Sequence, residues 1–259
     1  MTSDEALAGG RFADPARHGD TVTRRRSPAA TNIHALFDHL ARRGFELSPR
    51  LLDADDGTGR ERLSFLPGAA GHPPLPAPVR SERALRSAAR AVRALHDATA
   101  GFIPPDSVWD RQEVTLPVKV DCIGHGDLAP WNLVFDGDQV TGIIDFDFAG
   151  PSNRIWDLSY LAHQLVPFHP TSDLPGFGWT AEPNRARRLR ILATAYDPAL
   201  PPELLVDYAA IRLLGMAAHI EAQILAGNEA FTVHRDHDYA AGYRAAATFI
   251  LSNRAQLLD

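Results

Sequence analysis

Cysteine is almost missing: Cys122 stands alone among 259 residues, so no internal disulfide can form. Its place in an apolar stretch marks a buried thiol rather than a nucleophile. No apolar run approaches the roughly 18 residues of a membrane span. The opening MTSDEALAGG lacks the basic and apolar regions of a secretory leader. A cytoplasmic protein without a membrane partner is therefore expected. Positive charge is not in excess either. Lys and Arg number 26 against 32 Asp and Glu, and the net charge of −6 argues against a nucleic-acid partner and suits a cationic small molecule. No internal repeat is present. What remains is an ordinary globular composition, 45% hydrophobic and 22% charged, in a chain long enough to bury a substantial core.

The most informative stretch is Asp121 to Asp157, DCIGHGDLAPWNLVFDGDQVTGIIDFDFAGPSNRIWD. Its apolar runs at Val118 to Ile123, Leu133 to Phe135 and Val140 to Ile144 are short, β-branched and bounded by Gly, Pro and Asp, so they read as strands. The polar residues fall between them. His125 and Asp127 follow the first run, Asn132 precedes the second, Asp136-Gly137 supplies a hairpin turn, and Asp145 with Asp147 follow the third. Phosphoryl transfer to a hydroxyl needs such a set: Asp127 to accept the hydroxyl proton, and Asn132 with Asp145 to hold Mg²⁺ against nucleotide phosphates. Asp147 is divided evenly between metal ligand and solvated carboxylate. His125 reads as a buried histidine bonded to backbone, and Asp157 as an anchor for loop N–H groups at a helix start.

HGDLAPWN followed by GIIDFD resembles the aminoglycoside phosphotransferase family, whose fold is similar to that of protein kinases. FLPG at Phe65 to Gly68, ALHDA at Ala94 to Ala98 and RIWDLSYLA at Arg154 to Ala162 sit in the family's order. The resemblance implies an α+β, two-lobe fold: a small β-rich N-terminal lobe over residues 1–68, and a larger, mainly helical lobe over 69–259. It implies ATP or GTP with Mg²⁺, Asp127 as base, Asn132 and Asp145 as metal ligands, and His125 and Asp157 as scaffold. Phe65, Leu66 and Gly68 would form the hinge that meets the nucleotide base. Gly126 stands where protein kinases have an arginine that reads activation-loop phosphorylation, which implies an enzyme without that switch.

The N-terminal half departs from the pattern. A kinase-like site has a glycine-rich cover and a basic strand residue braced by a helix glutamate. Gly9-Gly10 is a weak match to the cover. Thr21 to Arg24 reads as a strand whose Arg24 replaces the family's usual lysine. No glutamate lies between Thr31 and Gly44, where Thr31 or Asn32 would cap the helix, so His34 and Asp38 are the candidates left. An unbraced Arg24 predicts weak nucleotide affinity, roughly 0.1 to 1 mM.

Pro76-Ala77-Pro78 has linker composition. Helices are expected from Ser81 to Asp97, Leu158 to Val166, Arg185 to Tyr196, Pro202 to Ile224 and Asp236 to Leu257. In the long loop from Pro167 to Asn184, Asp173, Trp179 and Glu182 are acceptor candidates, since carboxylates and an aromatic face suit a polycationic sugar. The function expected is transfer of the γ-phosphate to a hydroxyl of an aminoglycoside-like or other cationic small molecule, by a monomer or dimer. The alternatives are a pseudokinase or binding protein of the same fold, and a kinase acting on peptide Ser or Thr.

Overall fold

The computed structural model describes residues 5–6, 14–110 and 119–259. Gly9-Gly10 and Val118 lie outside them. Strands β1 (Glu5–Ala6), β2 (Ala16–His18), β3 (Thr21–Arg25), β4 (Leu51–Asp53) and β5 (Arg60–Ser64) form one antiparallel sheet in the order β1-β2-β3-β5-β4. Helix α1 (Ala30–Arg42) lies between β3 and β4 in the chain, burying Ile33, Leu36, Phe37 and Leu40. Neither Thr31 nor Asn32 caps it. Ala29 holds the cap position, and Asn32, fully buried, instead exchanges hydrogen bonds with the backbone of Asp106 and Val108. A buried amide is stable only with such partners, and the loop at 106–108 supplies them.

Beyond Ser64 the chain runs through Phe65 to Gly68 into β6 (Ala69–Ala70), which joins a second sheet. The Pro-rich stretch after it is not plain linker, because it contains the short helix α2 (Ala77–Arg80). Helix α3 (Glu82–Thr99) starts where Ser81 Oγ accepts the Ala84 N–H at 3.0 Å. Leu85, Ala88, Ala89, Val92 and Leu95 bury its inner stripe almost completely, each large side chain contributing about 1.5 to 3 kcal/mol by leaving water. Against this helix pack β7 (Cys122–Gly124) and the hairpin of β8 (Leu133–Asp136) and β9 (Gln139–Ile143). β6 pairs with β8 in a three-stranded sheet, and β7 pairs with β10 (Gly150–Ser152). Cys122 is buried in β7, and burial pushes its thiol up and away from reactivity.

The rest is helical: α4 (Arg154–Leu165), α5 (Arg185–Tyr196), α6 (Pro202–Leu225), α7 (Thr232–Asp236), α8 (Tyr239–Ser252) and α9 (Arg254–Leu258). One final helix from Asp236 to Leu257 was expected. Asp238 breaks it with a left-handed backbone, φ 50°, and a second break follows at Asn253. The division is thus α+β, with a small strand-rich part and a larger helical one.

A buried network fixes the loop between β7 and β8 to this helical part. Asp157, in the first turn of α4, accepts the backbone N–H groups of His125 (2.7 Å) and Gly126 (2.9 Å), while His96 Nε2 of α3 lies 3.0 Å from its Oδ2. Arg212, on the buried face of α6, donates to the carbonyls of Trp156 (2.8 Å) and Gly126 (2.5 Å). Its guanidinium lies over the rings of Tyr160 and Trp156. Burial alone would raise Asp157, but the hydrogen bond and charge of His96, with the charge of Arg212, hold it well below the usual carboxylate range.

Two predictions follow from this network. Asp157→Asn leaves buried N–H groups and a buried arginine without their anion, so stability falls by about 3 to 5 kcal/mol at pH 7. Because the folded value lies below the ordinary 3.8, the carboxylate's contribution is complete above that value and lost as pH falls through the folded one. The gap between the melting curves of the two proteins should begin to narrow below about pH 4 and go on narrowing as pH falls further; a gap of equal size at pH 3 and pH 7 contradicts the assignment. Gly126→Ala is also destabilising. Gly126 has φ +82°, and an added Cβ would stand 2.1 Å from the Phe148 carbonyl oxygen. The cost is about 2 to 4 kcal/mol, and an unchanged urea midpoint would refute it.

Candidate active site

The loop between β7 and β8 carries Asp127. Its backbone is positioned by His125, whose Nε2 bonds to the Ile144 carbonyl at 2.8 Å. A carbonyl can only accept, so Nε2 holds the proton and Nδ1 is left to accept the Asp127 N–H at 3.3 Å. Asn132 lies in the 3₁₀ turn Pro130–Asn132, where its Nδ2 donates to Asp127 Oδ2 (2.8 Å) and to the Asp127 carbonyl (2.9 Å). Because the amide nitrogen is thus engaged, Oδ1 is the atom Asn132 can offer to a cation.

The β8–β9 hairpin brings Asp145 to this point. Leu133 pairs with Ile143, and the Ile144 N–H continues the ladder onto the Asn132 carbonyl at 2.9 Å. The turn itself sits at Gly137 and Asp138, one residue beyond the expected pair, since Asp136 still pairs with Gln139. Asp145 then takes a left-handed conformation, φ 64° and ψ 63°, and opens a 3₁₀ turn (Phe146–Phe148) that places Asp147 on the same side. A non-glycine residue in this region costs about 1 to 3 kcal/mol and persists only where its surroundings enforce it.

Arg24 closes the site from the first sheet. It is buried, its Nε donates to Glu61 Oε1 at 2.7 Å, and its Nη1 and Nη2 lie 3.6 Å from Asp145 and 2.9 Å from Asp147. The last contact brings the charges together without hydrogen-bond alignment. Arg24 Nη2 and Asp147 Oδ1 are therefore buried without a hydrogen-bond partner among the described residues. Glu61 Oε2 is in turn 2.5 Å from His34 Nε2 of α1. The expectation of an unbraced Arg24 is corrected here. The brace comes from the neighbouring strand, where Glu61 faces Arg24 across β3 and β5, and His34 connects it to the helix. Strand alternation gave a signal: in Arg60 to Ser64, Glu61 shares the buried face with Leu63.

Electrostatics separates the carboxylates. Burial pushes Asp127 up from the ordinary carboxylate value, helped by the charge of Asp145 and opposed by Arg212 and the Asn132 amide. Burial, with Asp145 and Glu61, also pushes Asp147 up to about 6 against the pull of Arg24. Glu61 moves the other way, since its hydrogen bond to His34 and the charge of Arg24 overcome burial. Among the described residues no three acidic, imidazole or thiol side chains converge as a closed metal cage. The oxygens of Asn132, Asp145 and Asp147 make an open donor set instead. Such a set suits a hard cation that takes its remaining ligands from water and phosphate.

The other expected residues are placed as follows. The Phe65 N–H donates to the Asp20 carbonyl at 2.8 Å, and Arg17 covers the Phe65 ring at 3.8 Å. Leu66 packs against Gly142 of β9, and Gly68, φ +134°, lies so close to Val134 and Phe135 that no side chain would fit. These residues tie the first sheet to the β8–β9 hairpin. Asp173, Trp179 and Glu182, the acceptor candidates, make contacts of their own within the helical part. Trp179 lies against the guanidinium groups of Arg80 and Arg188, Glu182 pairs with Arg185, and Asp173 is exposed beside Ser172. The hydroxyls of Tyr160 and Tyr243, 3.1 Å apart, instead feel the charge of Asp127. Sequence reasoning missed Tyr243 and Arg212. Arg212 could have been found, since Leu205, Ala209, Arg212 and Met216 share a helical stripe and a charge on such a stripe needs a partner.

The model of the Phosphotransferase enzyme family, the family of the aminoglycoside phosphotransferases, matches residues 105–189. The chain is 32% identical over 199 residues to the trifolitoxin immunity protein of Rhizobium leguminosarum bv. trifolii, covering 76% of this chain and 75% of that one. Its fold is similar to that of a choline/ethanolamine kinase family protein from Mesorhizobium loti, with TM-score 0.67 at 20% identity over 99% of this chain and 91% of the other. It is also similar to aminoglycoside 2'-phosphotransferase-IIIa in its GDP complex, with TM-score 0.60 at 16% identity over 97% and 93%. In sequence and in its protein-kinase-like fold, the chain belongs to the phosphotransferase enzyme family.

Proposed function

We propose that this chain transfers the γ-phosphate of ATP or GTP to a hydroxyl of a small molecule, with Asp127 as the base. The observation that carries this reading is the Asp127–Asn132–Asp145 set. A carboxylate raised by burial is held by an amide at 2.8 Å, and a second carboxylate is laid beside that amide by a strand pair. A carboxylate raised by burial is a better proton acceptor than an ordinary one. Asn132, Asp145 and Asp147 would hold Mg²⁺, which neutralises charge on the phosphates when bound. Asp127 orients the hydroxyl and takes its proton. Arg24 supplies a positive charge beside Asp145 and Asp147 from the first sheet. The GDP held by the similar aminoglycoside phosphotransferase supports a nucleotide as donor.

The acceptor is proposed to be a small hydroxylated compound whose hydroxyl meets Asp127. A cationic compound remains the acceptor class that the net charge of −6 suits, although several acids of the helical half are paired, Asp207 with Arg254, Glu221 with Arg244, Glu182 with Arg185 and Asp236 with Arg235. A second reading has its own observation. The relative at 32% identity is named as a toxin immunity protein, which favours protection against a toxic compound, either by phosphorylating it or by binding it.

Asp127→Asn tests both readings. Turnover should fall by roughly 10² to 10⁴ while the fold and nucleotide binding persist. A panel of hydroxylated compounds assayed for ATP and GTP consumption, with this variant as control, identifies the acceptor, and wild-type turnover in the variant removes Asp127 from the mechanism. Protection of cells that survives the substitution indicates sequestration instead of transfer. Asp145→Ala should abolish the Mg²⁺ dependence of nucleotide affinity without unfolding the protein. Unaltered Mg²⁺ dependence by isothermal titration would place the metal elsewhere.

A further inference from the structure

Arg24 makes two kinds of contact on two edges. The Nε edge is a buried, aligned hydrogen bond to Glu61, whose far oxygen is held by His34. The Nη edge faces Asp145 and Asp147, and its nearer contact, 2.9 Å to Asp147, is misaligned for a hydrogen bond. The first edge is therefore a fixed attachment and the second a contact between charges. Asp145 and Asp147 both lie against this edge, and like charges gathered there repel unless a cation offsets them. In the chain as it folds, that cation is Arg24.

Resting on the phosphotransferase reading, we propose that Arg24 is the resident counter-ion of the Asp145–Asp147 pair, held in reach by Glu61 and His34. It yields the pair to an incoming divalent cation and turns the same two nitrogens to the phosphates. A guanidinium suits this exchange, because its planar fork keeps the Glu61 bond through Nε while both Nη atoms change partner. A lysine ammonium has no second edge. Free metal must displace Arg24 with nothing for its Nη atoms to meet. Metal that arrives with a nucleotide brings phosphate oxygens to replace the carboxylates Arg24 gives up. Arg24 thus opposes the bare cation and favours the nucleotide-bound one, and Glu61 with His34 are positioning residues that act through it.

The test is the affinity of Mn²⁺ alone, followed by its electron paramagnetic resonance signal, beside the affinity of Mg²⁺ with ATP and GTP by isothermal titration. In Arg24→Ala, Mn²⁺ alone should bind about tenfold tighter or more, since a like charge has left the site. Nucleotide with Mg²⁺ should bind about tenfold weaker or more, since charged hydrogen bonds are lost. Arg24→Lys keeps the charge and should stay near wild type for Mn²⁺ alone while recovering nucleotide affinity incompletely. Should Arg24→Ala fold poorly with Glu61 unpaired, the double variant Arg24→Gln with Glu61→Gln removes both charges at similar shape and should still bind nucleotide weakly. Glu61→Gln alone should weaken both Mn²⁺ and nucleotide, as Arg24 settles on the carboxylates. Mn²⁺ affinity in Arg24→Ala equal to or below wild type overturns the proposal, even where nucleotide binding confirms the phosphotransferase reading. If no protein of the set binds nucleotide, that reading fails, and the Mn²⁺ measurement still decides the role of Arg24.

Discussion

Four parts of the chain meet at the Asp157 carboxylate. It lies in the first turn of α4, takes two N–H groups from the loop after β7, meets His96 of α3, and stands 3.9 Å from Arg212 of α6. A buried carboxylate is tolerated only when its oxygens are filled and an opposite charge is near. Asp157 satisfies both conditions by drawing these segments together. Asp127 lies two residues beyond His125, the first loop N–H it holds, so Asp127 inherits its position from Asp157.

The site was legible in the sequence where it is local. Asp127, Asn132 and Asp145 are separated by one loop and one hairpin, and a strand period of two with a Gly-containing turn fixes where each side chain emerges. Helices α3, α5 and α6 were legible too, because Ser81, Asn184 and Pro202 mark their starts and apolar stripes run along them. What escaped is what depends on distant pairing. Glu61 lies 37 residues from Arg24, and only the β3–β5 register makes them neighbours. Tyr243 meets Tyr160 across 83 residues. Trp179 likewise meets Arg80 and Arg188, which lie 99 residues before it and 9 after it, so its neighbours could not be read from its own loop.

Backbone strain concentrates at the same place. Asp145 is left-handed without being glycine, and Gly126 is glycine because the Phe148 carbonyl stands where a Cβ would be. The two constraints are connected. The turn that follows Asp145 carries Phe148 over Gly126, so the conformation that aims Asp145 into the site also closes the space beside the loop of Asp127. Asp127 and Asp145 are held by one packed unit, and neither can move far without displacing the other.

Two features of this chain that differ from protein kinases then have a common sense. In those enzymes the arginine of the catalytic loop senses phosphorylation, and a helix glutamate swings in to brace the basic strand residue. Here the position of that arginine is Gly126, which has no room for a side chain, and the brace is Glu61, whose position is set by the register of two hydrogen-bonded strands. A helix can rotate or translate as a body at modest cost, but a strand register changes only by breaking its ladder and turning every side chain to the other face. Helix α1 still touches the brace through His34, as a support rather than as its source. The arrangement has neither movable part of the kinase switch, and the wall that carries Arg24 is formed once, when the sheet forms. The remaining freedom is local: the Nη edge of Arg24 and the carboxylates it faces.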